Sequence, residues 1–515
     1  MAWICINPYR ERMRGPARKW LVAVVAVVAG AALLGAAPTQ AQDPDLSWPP
    51  ALSGPSQIGF IVEDSWLLDS YIRVPTPGDQ PICESLDDPK CVDLAATHGW
   101  WVLRVAPPCV AALAWEECVE SLRIRTDDGT QRELELIGTA PGRTFAPNEA
   151  KGLPTGSTMS LFEDPGDPSV RYAVHLGGQM SRTVVEPERP FTLGTFAAQV
   201  IPYRSAAMGQ QPGSQCLFTS AGQCSYRVPF PDGFSYSLSV RLSNRVTGWL
   251  GGRLADPTID VSPLGSGLNR VSVTALPVDV PLVGISIPVV QATSQILEYW
   301  RATFTCAGNV PCTSGVMSGQ SAGPHGADQL RLFTDFLGDT ATRVIPTWSV
   351  SNLLQTSPQP CLADSSRLLG LVTTNATVYG AAPPVFTAGS LNYEVSALHR
   401  VPGGDVFSGS YDLVLRSDTA RCLYGFSDAP VRAEISVTSE DGTEQVATTS
   451  VNESDGWLRL SARNFTFSSP KISVVLTSDA PKTKTIVCKK GKKRKKVSGV
   501  NPVCPAGWRK IGTRP

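Results

Sequence analysis

The cysteines constrain the fold of this chain more than any other feature, because twelve of the thirteen fall into sequence-adjacent pairs. Partners in the first four pairs are six to nine residues apart, which suits a cross-link that closes a hairpin or a short loop. No Cys-x-x-Cys occurs, so the spacing excludes thioredoxin-like and zinc-ribbon motifs. Spacing alone leaves the connectivity open, and we predict six local disulfides formed in an oxidising compartment. The predicted pairs are Cys83 and Cys91, Cys109 and Cys118, Cys216 and Cys224, Cys306 and Cys312, Cys361 and Cys422, and Cys488 and Cys504.

The first 41 residues have the pattern of an export signal. A basic stretch from Arg10 to Lys19 precedes an apolar run that starts at Trp20 and is marginal in length for a spanning helix. The run ends in Ala-Pro-Thr-Gln-Ala, and small residues there suit cleavage after Ala41. We therefore predict a cleaved signal peptide, with an uncleaved signal anchor as the alternative. No later segment reaches the roughly 18 to 20 apolar residues that span a bilayer.

Alternation of apolar and polar residues predicts β-strands throughout the rest of the chain. Gly and Pro together account for 88 of 515 residues, which favours many turns between short strands. Short strands separated by Asp-Gly turns are typical of β-sandwiches and not of βαβ units. We predict an all-β fold of tandem, disulfide-stapled sandwich domains, immunoglobulin-like or jelly-roll-like, with two short helices. The clearest predicted strands are 235–242, 410–416, 431–437 and 471–477, the Asp-Gly turns begin at 128, 232, 441 and 455, and the helices are 111–120 and 327–337.

These patterns predict five segments along the chain. They are a signal peptide (1–41), an N-terminal β domain (42–200), a second β domain (201–292), a C-terminal β-sandwich domain (293–480) and a basic, disulfide-bridged tail module (481–515). A Gly-Trp-Leu sequence followed by a Pro-x-Ile-x-Val strand occurs twice, at Trp249 and at Trp457. Either duplication of one sandwich or chance similarity explains this repeated sequence. We expect both tryptophans to lie in cores.

The net charge of zero hides a strong asymmetry. The segment 481–515 has twelve Lys or Arg and no Asp or Glu, whereas 42–480 has 28 basic and 44 acidic residues. Such a block is either a solvated end or a surface that attracts a polyanion. For an exported chain we expect an anionic cell-envelope polymer or carbohydrate as the partner and no nucleic acid. The predicted polyanion-binding residues are Lys489, Lys490, Lys492, Lys493, Arg494, Lys495 and Lys496.

Catalytic motifs are weak in this chain. Ser321 lies in a Gly-x-Ser-x-Gly sequence, but Pro324 and Gly326 occur where the helix of a nucleophile elbow would begin. Only His325 and His399 follow it as candidate bases. The histidines are too few and scattered for a metal site, and a carboxylate pair of the glycosidase type stays open because such pairs have no fixed spacing. We therefore predict no catalytic, metal or cofactor-binding residues and no enzymatic activity.

Two stretches resemble a known group of proteins. Residues 408–427, Ser-Gly-Ser-Tyr-Asp-Leu-Val-Leu-Arg-Ser onward, resemble a segment of large exported proteins of actinobacteria, as does 455–462. The tail, with its two cysteines, lysine-rich turn and Pro-x-Cys-Pro-x-Gly-aromatic sequence, is similar to a short module of the same group. Arg509 departs from that pattern by separating the aromatic residue from Lys510. The resemblance implies a secreted or cell-surface location and a β architecture, and no activity.

Together these features favour a non-enzymatic cell-surface protein with a structural, adhesive or binding role and a tail that associates with anionic polymer. An exported esterase or glycosidase with accessory β modules is one alternative. An array of carbohydrate-binding modules is another, with Trp100, Trp101 and Trp115 as candidate stacking platforms.

Overall fold

The computed structural model describes residues 57–511 apart from a set of short internal gaps. The gaps are 64–68, 77–79, 187–190, 192, 194, 212–215, 304, 307–309, 312–314, 321–325, 354–358, 363–365, 381, 388–389, 426–430, 439–443, 446–447, 468–470, 479–483, 492 and 500–502. The predicted signal peptide, Ser321, His325, Cys312 and Lys492 therefore lie outside the described residues.

The described residues form four α-helices: α1 (Pro89–His98), α2 (Ser294–Thr303), α3 (Gly326–Leu337) and α4 (Ser417–Tyr424). Short 3₁₀ turns occur at Cys109–Ala111, Glu149–Lys151, Val289–Gln291 and Pro360–Leu362. None of the helices in this part of the chain has the length and apolar character needed to cross a membrane.

The predicted helix at 327–337 is confirmed by α3, whereas the one at 111–120 is wrong. The segment 111–120 ends in a strand that begins at Cys118, because backbone pairing and the Cys109–Cys118 disulfide override its helical periodicity. Helix α1 was not predicted, although its start has an ordinary signal. Asp88 accepts a hydrogen bond from the backbone N–H of Lys90, and Pro89 occupies the first helical position.

The strands, in chain order, fall into two groups. The first group runs to the end of the predicted second domain: β1 (Gln57–Glu63), β2 (Tyr71–Arg73), β3 (Ile82–Cys83), β4 (Trp100–Val105), β5 (Cys118–Thr126), β6 (Gln131–Glu133), β7 (Glu135–Thr139), β8 (Ser160–Asp164), β9 (Asp167–Arg182), β10 (Thr195–Ala207), β11 (Phe218–Ser220), β12 (Gln223–Arg227), β13 (Phe234–Ser243), β14 (Gly248–Arg253), β15 (Ala255–Gly265), β16 (Leu268–Leu276) and β17 (Val278–Pro288). The second group follows it: β18 (Thr305–Cys306), β19 (Val310–Pro311), β20 (Gly315–Gln320), β21 (Arg343–Asn352), β22 (Leu368–Thr374), β23 (Val378–Tyr379), β24 (Val385–Thr387), β25 (Ser390–Ser396), β26 (Ser408–Arg416), β27 (Val431–Thr438), β28 (Glu444–Gln445), β29 (Thr448–Ser454), β30 (Trp457–Thr466), β31 (Lys471–Ser478), β32 (Lys484–Lys490), β33 (Lys493–Gly499) and β34 (Arg509–Ile511).

One large, mostly antiparallel sheet connects distant parts of the chain. Following its pairings in space gives the order β29-β30-β26-β22-β14-β21-β10-β9-β4-β2-β3. Within this path only β14 and β22 run parallel. The first half of β21 also pairs with β17, which pairs with β1, and β1 pairs with β20 in parallel.

A five-stranded antiparallel sheet, ordered β15-β16-β13-β5-β6, covers one face of the large sheet. Leu238 of the smaller sheet shares an apolar core with Val174 and Val350 of the large one. The indole N–H of Trp348 donates to the carbonyl of Ala275 across this interface, at 3.1 Å. The two sheets thus form packed β layers around one core.

The outer surface of the five-stranded sheet carries an ion-pair cluster centred on Glu120. Arg270 binds both of its carboxylate oxygens, at 2.5 and 2.6 Å, and Arg241 adds a contact at 3.1 Å. These hydrogen bonds, led by those from Arg270, hold the pKa of Glu120 below its ordinary value. The cluster ties together β5, β13 and β16.

A sheet ordered β23-β25-β31-β27-β28, with β24 on β25, covers part of the opposite face. Tyr393 and Ile472 of this sheet share a core with Trp249 and Leu413 of the large sheet. Its neighbour Val414 instead belongs to the first core, so β26 is buried on both faces. The large sheet is therefore the middle layer of three in this region.

The helices α2 and α3 pack on the β1–β17 pair. The ring of Phe333 in α3 stacks on that of Phe60 in β1 with 4.6 Å between centroids. Both side chains are fully buried in a third apolar core with Trp300 of α2.

Arg253 is a fully buried side chain that fixes an irregular connection. Its guanidinium donates to the backbone carbonyls of Thr374, the last residue of β22, and of Ala376 and Thr377 just after it. It also lies 4.6 Å from the ring centroid of Tyr379. Buried backbone carbonyls need hydrogen-bond donors, and here the guanidinium of Arg253 supplies the donors that a neighbouring strand would otherwise supply.

The all-β fold is confirmed, and so are the clearest strands, which lie within β13, β26, β27 and β31. The Asp-Gly turns at 128, 232 and 455 each place glycine at positive φ, between 75° and 87°, and the turn at 441 lies outside the described residues. The predicted boundary at 200 falls inside β10. Because β10 pairs with β21 and β17 pairs with β21, hydrogen-bonded strands also cross the boundary at 292.

Candidate functional site: a basic three-stranded sheet

The basic tail folds into a small sheet of its own. The strands lie in the order β33-β32-β34, and both pairings are antiparallel. Lys490 pairs with Lys493, so only two residues connect β32 to β33, and the first, Gly491, has φ of +59°. A two-residue connection between antiparallel strands favours such positive φ values. The lysine-rich run of the predicted tail module is thus part of a hairpin.

One face of this sheet carries a row of cations. Lys489 in the central strand lies directly opposite Arg494 on one side and Arg509 on the other. Two residues along, Val487 lies opposite Lys496. Because side chains alternate between faces, all of these project to the same side. We call Lys489, Arg494, Lys496 and Arg509 the basic face.

The other face is where the disulfide lies. Ile486 and Cys488 alternate with the basic face and are both buried, with exposed fractions of 5% and 0%. Cys488 is bonded to Cys504, which brings the segment before β34 onto this side. Gly507 lies beside the end of the Lys490 side chain. The disulfide therefore ties the segment before β34 to the central strand on this side, and on the basic face Arg494, Lys496 and Arg509 are exposed.

The basic face has no counter-charge of its own. No ion pair among the described residues includes its four cations, and the segment 481–515 contains no acidic residue. Like charges directly opposite each other destabilise an antiparallel pair. A bound anion would relieve this repulsion, so the arrangement favours anionic ligands. Of the seven predicted polyanion-binding residues, the structure places Lys489, Arg494 and Lys496 on this face and adds Arg509.

Lys490, Lys493 and Lys495 belong to the disulfide side of the sheet by the same alternation. Lys495 lies opposite Cys488, as does Lys510 on the other edge. The sequence did not separate these residues from the basic face, because the register that assigns them to faces is a tertiary property.

Five of the six predicted disulfides are present among the described residues, with the predicted pairing. They are Cys83–Cys91, Cys109–Cys118, Cys216–Cys224, Cys361–Cys422 and Cys488–Cys504. The partner of Cys306 lies outside the described residues. Disulfides at this density are characteristic of oxidising environments.

The residues that the structure describes do not form the catalytic triad that the serine-hydrolase alternative requires. Ser321 and His325 are outside them. His399 is paired with Asp339, its Nδ1 lying 2.6 Å from Oδ2, and Asp339 also accepts the His399 backbone N–H at 3.0 Å. Asp339 follows the C-terminal end of α3, whereas Ser321 precedes the N-terminal end. The same part of the chain gathers no set of three His, Cys, Asp or Glu side chains suited to a metal ion.

The tryptophans separate into core and surface positions. Trp249 and Trp457 are buried, as predicted, with exposed fractions of 3% and 6%. They contribute to cores on opposite faces of the large sheet, and the strands that follow them belong to different covering sheets. Trp100 packs against the first core, Trp101 is partly buried beside it in β4, and Trp115 is 36% exposed in a loop.

Asp256 and Asp412 are a carboxylate pair that the sequence did not single out. Asp256 and Asp412 both contact the same guanidinium nitrogen of Arg463, at 2.8 and 2.6 Å. A glycosidase pair needs space between its carboxyl groups for the sugar, and here Arg463 occupies that space. The three residues are up to 207 positions apart in the chain, so no local motif could have revealed them.

Each face of the small β33-β32-β34 sheet therefore has at least four cations among the described residues, and the basic face is the one on which three of them lie in a single row across all three strands. Comparison of the chain with protein-family models, curated proteins and solved structures finds no match.

Proposed function

We propose that this chain is an exported, non-enzymatic protein that attaches to an anionic polymer outside the cell through its basic face. The observation that supports this most directly is the row Arg494–Lys489–Arg509, in which three cations lie side by side across three strands and form no ion pair within the described part of the chain. Such a row matches the repeating charge of a polyanion better than it matches a single small anion.

The extracellular location is supported by two independent features. Disulfides persist outside the reducing cytosol, and the structure contains five of them in the described residues. The segment 1–41 has the basic, apolar and small-residue regions of a signal peptide. A cell-surface or secreted protein has both.

The charge of the rest of the chain directs binding to the tail. Residues 42–480 carry an excess of 16 acidic over basic residues, whereas 481–515 carry twelve basic ones. A polyanion is repelled by the former and attracted by the latter, and the attraction weakens as salt shortens the Debye length. The β layers then form a body that the tail holds near the polymer.

Titration with polyphosphate, with dextran as the neutral control, tests the chemistry of the site. If the four cations of the basic face each contact a charge of the polymer, the logarithm of the affinity should fall with a slope of roughly −3 against the logarithm of the salt concentration. Neutralising Lys489 and Arg509 together to Gln should halve this slope. Neutralising Lys495 and Lys510, which removes the same charge from the disulfide side, should change it much less. Equal effects of the two double variants would contradict the proposed face.

Fractionation of cells that express the full chain tests the location. The intact protein should stay with the envelope and be eluted by salt, whereas a variant that lacks residues 481–515 should be released into the medium. Identical partitioning of the two forms would refute attachment through the tail.

The absence of catalysis is tested separately, because Ser321 remains an esterase hypothesis. A fluorophosphonate probe should not label the intact protein. Labelling that disappears in Ser321→Ala would instead establish a serine hydrolase.

A further inference from the structure

A second, smaller site lies between the large sheet and the edge of the five-stranded sheet, far along the chain from the basic tail. It is a pocket of about 160 Å³. Its wall includes Asp256 of β15, Asp412 of β26, Asn452 of β29, and Arg459 and Ser461 of β30.

Two β-bulges shape this pocket. In β15 the register against β16 shifts between Ala255 and Thr258, and Asp256 has φ of +50° immediately before Pro257. In β30 the register against β26 shifts next to Arg463, and Asn464 has φ of +63°. Residues before proline favour extended conformations, so this backbone at Asp256 is unusual. Bulges re-aim side chains, and these two direct Asp256 and Arg463 toward each other.

The pocket contains a carboxylate, Asp412, in which one oxygen accepts no hydrogen bond from the described residues. Asp412 is 2% exposed, and its Oδ1 accepts hydrogen bonds from the Ser461 hydroxyl and from Arg463. Its Oδ2 is buried and has no hydrogen-bond partner among the described residues. The Nε of Arg459, in the same pocket wall, is likewise buried without a partner in that part of the chain. Buried polar atoms of this kind need a ligand or water to complete them.

Charge and size define what could fill the space. Two carboxylates, Asp256 and Asp412, are balanced by two guanidiniums, Arg459 and Arg463, so a ligand with net charge would disturb an already neutral group. The volume corresponds to about five water molecules, well below the roughly 300 to 1,000 Å³ of drug-sized ligand sites. The ligand must therefore be small and neutral, and it must both donate and accept hydrogen bonds.

We propose that this pocket binds one ring of a neutral saccharide, with one hydroxyl donating to Asp412 Oδ2 and a neighbouring hydroxyl accepting from Arg459. A hydroxyl both donates and accepts, and a sugar ring holds several of them in a fixed arrangement, which suits two convergent groups of opposite character. The exposed amide of Asn452 at the rim adds a further donor and acceptor. This binding is independent of the basic face, because it involves neither the tail nor a charged polymer.

Saturation-transfer NMR on the full chain tests the proposal. The probes are glucose, galactose, mannose, arabinose and N-acetylglucosamine, each at millimolar concentration and in high salt, which suppresses binding by the tail. At least one of these sugars should receive saturation from the protein. Asn452→Trp, which places a large ring at the exposed rim, should abolish the transfer.

Val451→Trp provides the matched control, since Val451 is the preceding residue of β29, is also exposed and projects to the opposite face. It should leave the transfer unchanged, and both variants should keep the wild-type melting temperature. Failure of all five sugars to receive saturation would overturn the proposal and leave a pocket that holds only water. Transfer that survives in Asn452→Trp, or that both variants lose equally, would also overturn it.

Discussion

Replacing Lys489 by Glu should stabilise the basic sheet while it weakens polyanion binding. Lys489 lies between Arg494 and Arg509, so the change converts two like-charged cross-strand pairs into two oppositely charged ones. An oppositely charged pair contributes roughly 0.2–1 kcal/mol, and the repulsion of the original pairs is removed as well. The expected gain in the free energy of local unfolding is about 1–2 kcal/mol. Stability alone favours this exchange, so the stability of the sheet does not account for the three cations.

Amide hydrogen exchange over β32 and β33 measures this gain directly in the full chain. A stabilisation of about 1–2 kcal/mol slows exchange through local opening by a factor of roughly 5–30. The slowing should diminish in high salt, where the Debye length is about 3 Å at 1 M. Lys495→Glu makes the same charge change on the disulfide side, opposite Cys488, and should slow exchange much less. Faster exchange in Lys489→Glu, or equal slowing in both variants, would refute the assignment of faces.

Three further predictions concern the β layers. Glu120→Gln should destabilise the protein by roughly 1–2 kcal/mol at pH 7. The folded pKa of Glu120 lies below its ordinary value of 4.5, so the stability that Glu120 contributes is present above pH 4.5 and is lost as the pH falls through the folded pKa. The urea midpoint of the variant should therefore change less below pH 4.5 than that of the wild type. Gly370→Ala should cost about 1–3 kcal/mol in thermal unfolding, because a Cβ there would lie 2.4 Å from the ring of Trp249; an unchanged melting temperature would contradict this packing. Replacing Cys361 and Cys422 together by Ser should cost about 4 kcal/mol, since their bridge closes a loop with a sequence separation of 61 residues, and a loss below 1 kcal/mol in denaturant titration would argue against loop closure as the source.

Much of the architecture follows from local pattern. Alternation marked β13, β26, β27 and β31, and the spacing of the cysteines gave the correct partners for the five disulfides within the described residues. Strand alternation is a short-range property with a period of two, and four of the disulfides join cysteines 8 to 16 residues apart. The fifth, Cys361–Cys422, has a sequence separation of 61 residues, and its partners are consecutive cysteines in the chain. The predicted helix at 111–120 failed for the opposite reason. There, pairing with β13, distant in sequence, decided the conformation.

Domain organisation and the two sites depended on contacts that the sequence does not display. The composition of the tail showed where the cations are, and only the register of β32 against β33 and β34 decided which of them share a face. The sequence by itself determined an all-β chain with local disulfides and a segregated basic block. The tertiary structure alone placed Asp256 against Arg463 and Asp412, because two bulges in strands far apart in the chain have to meet before a pocket exists.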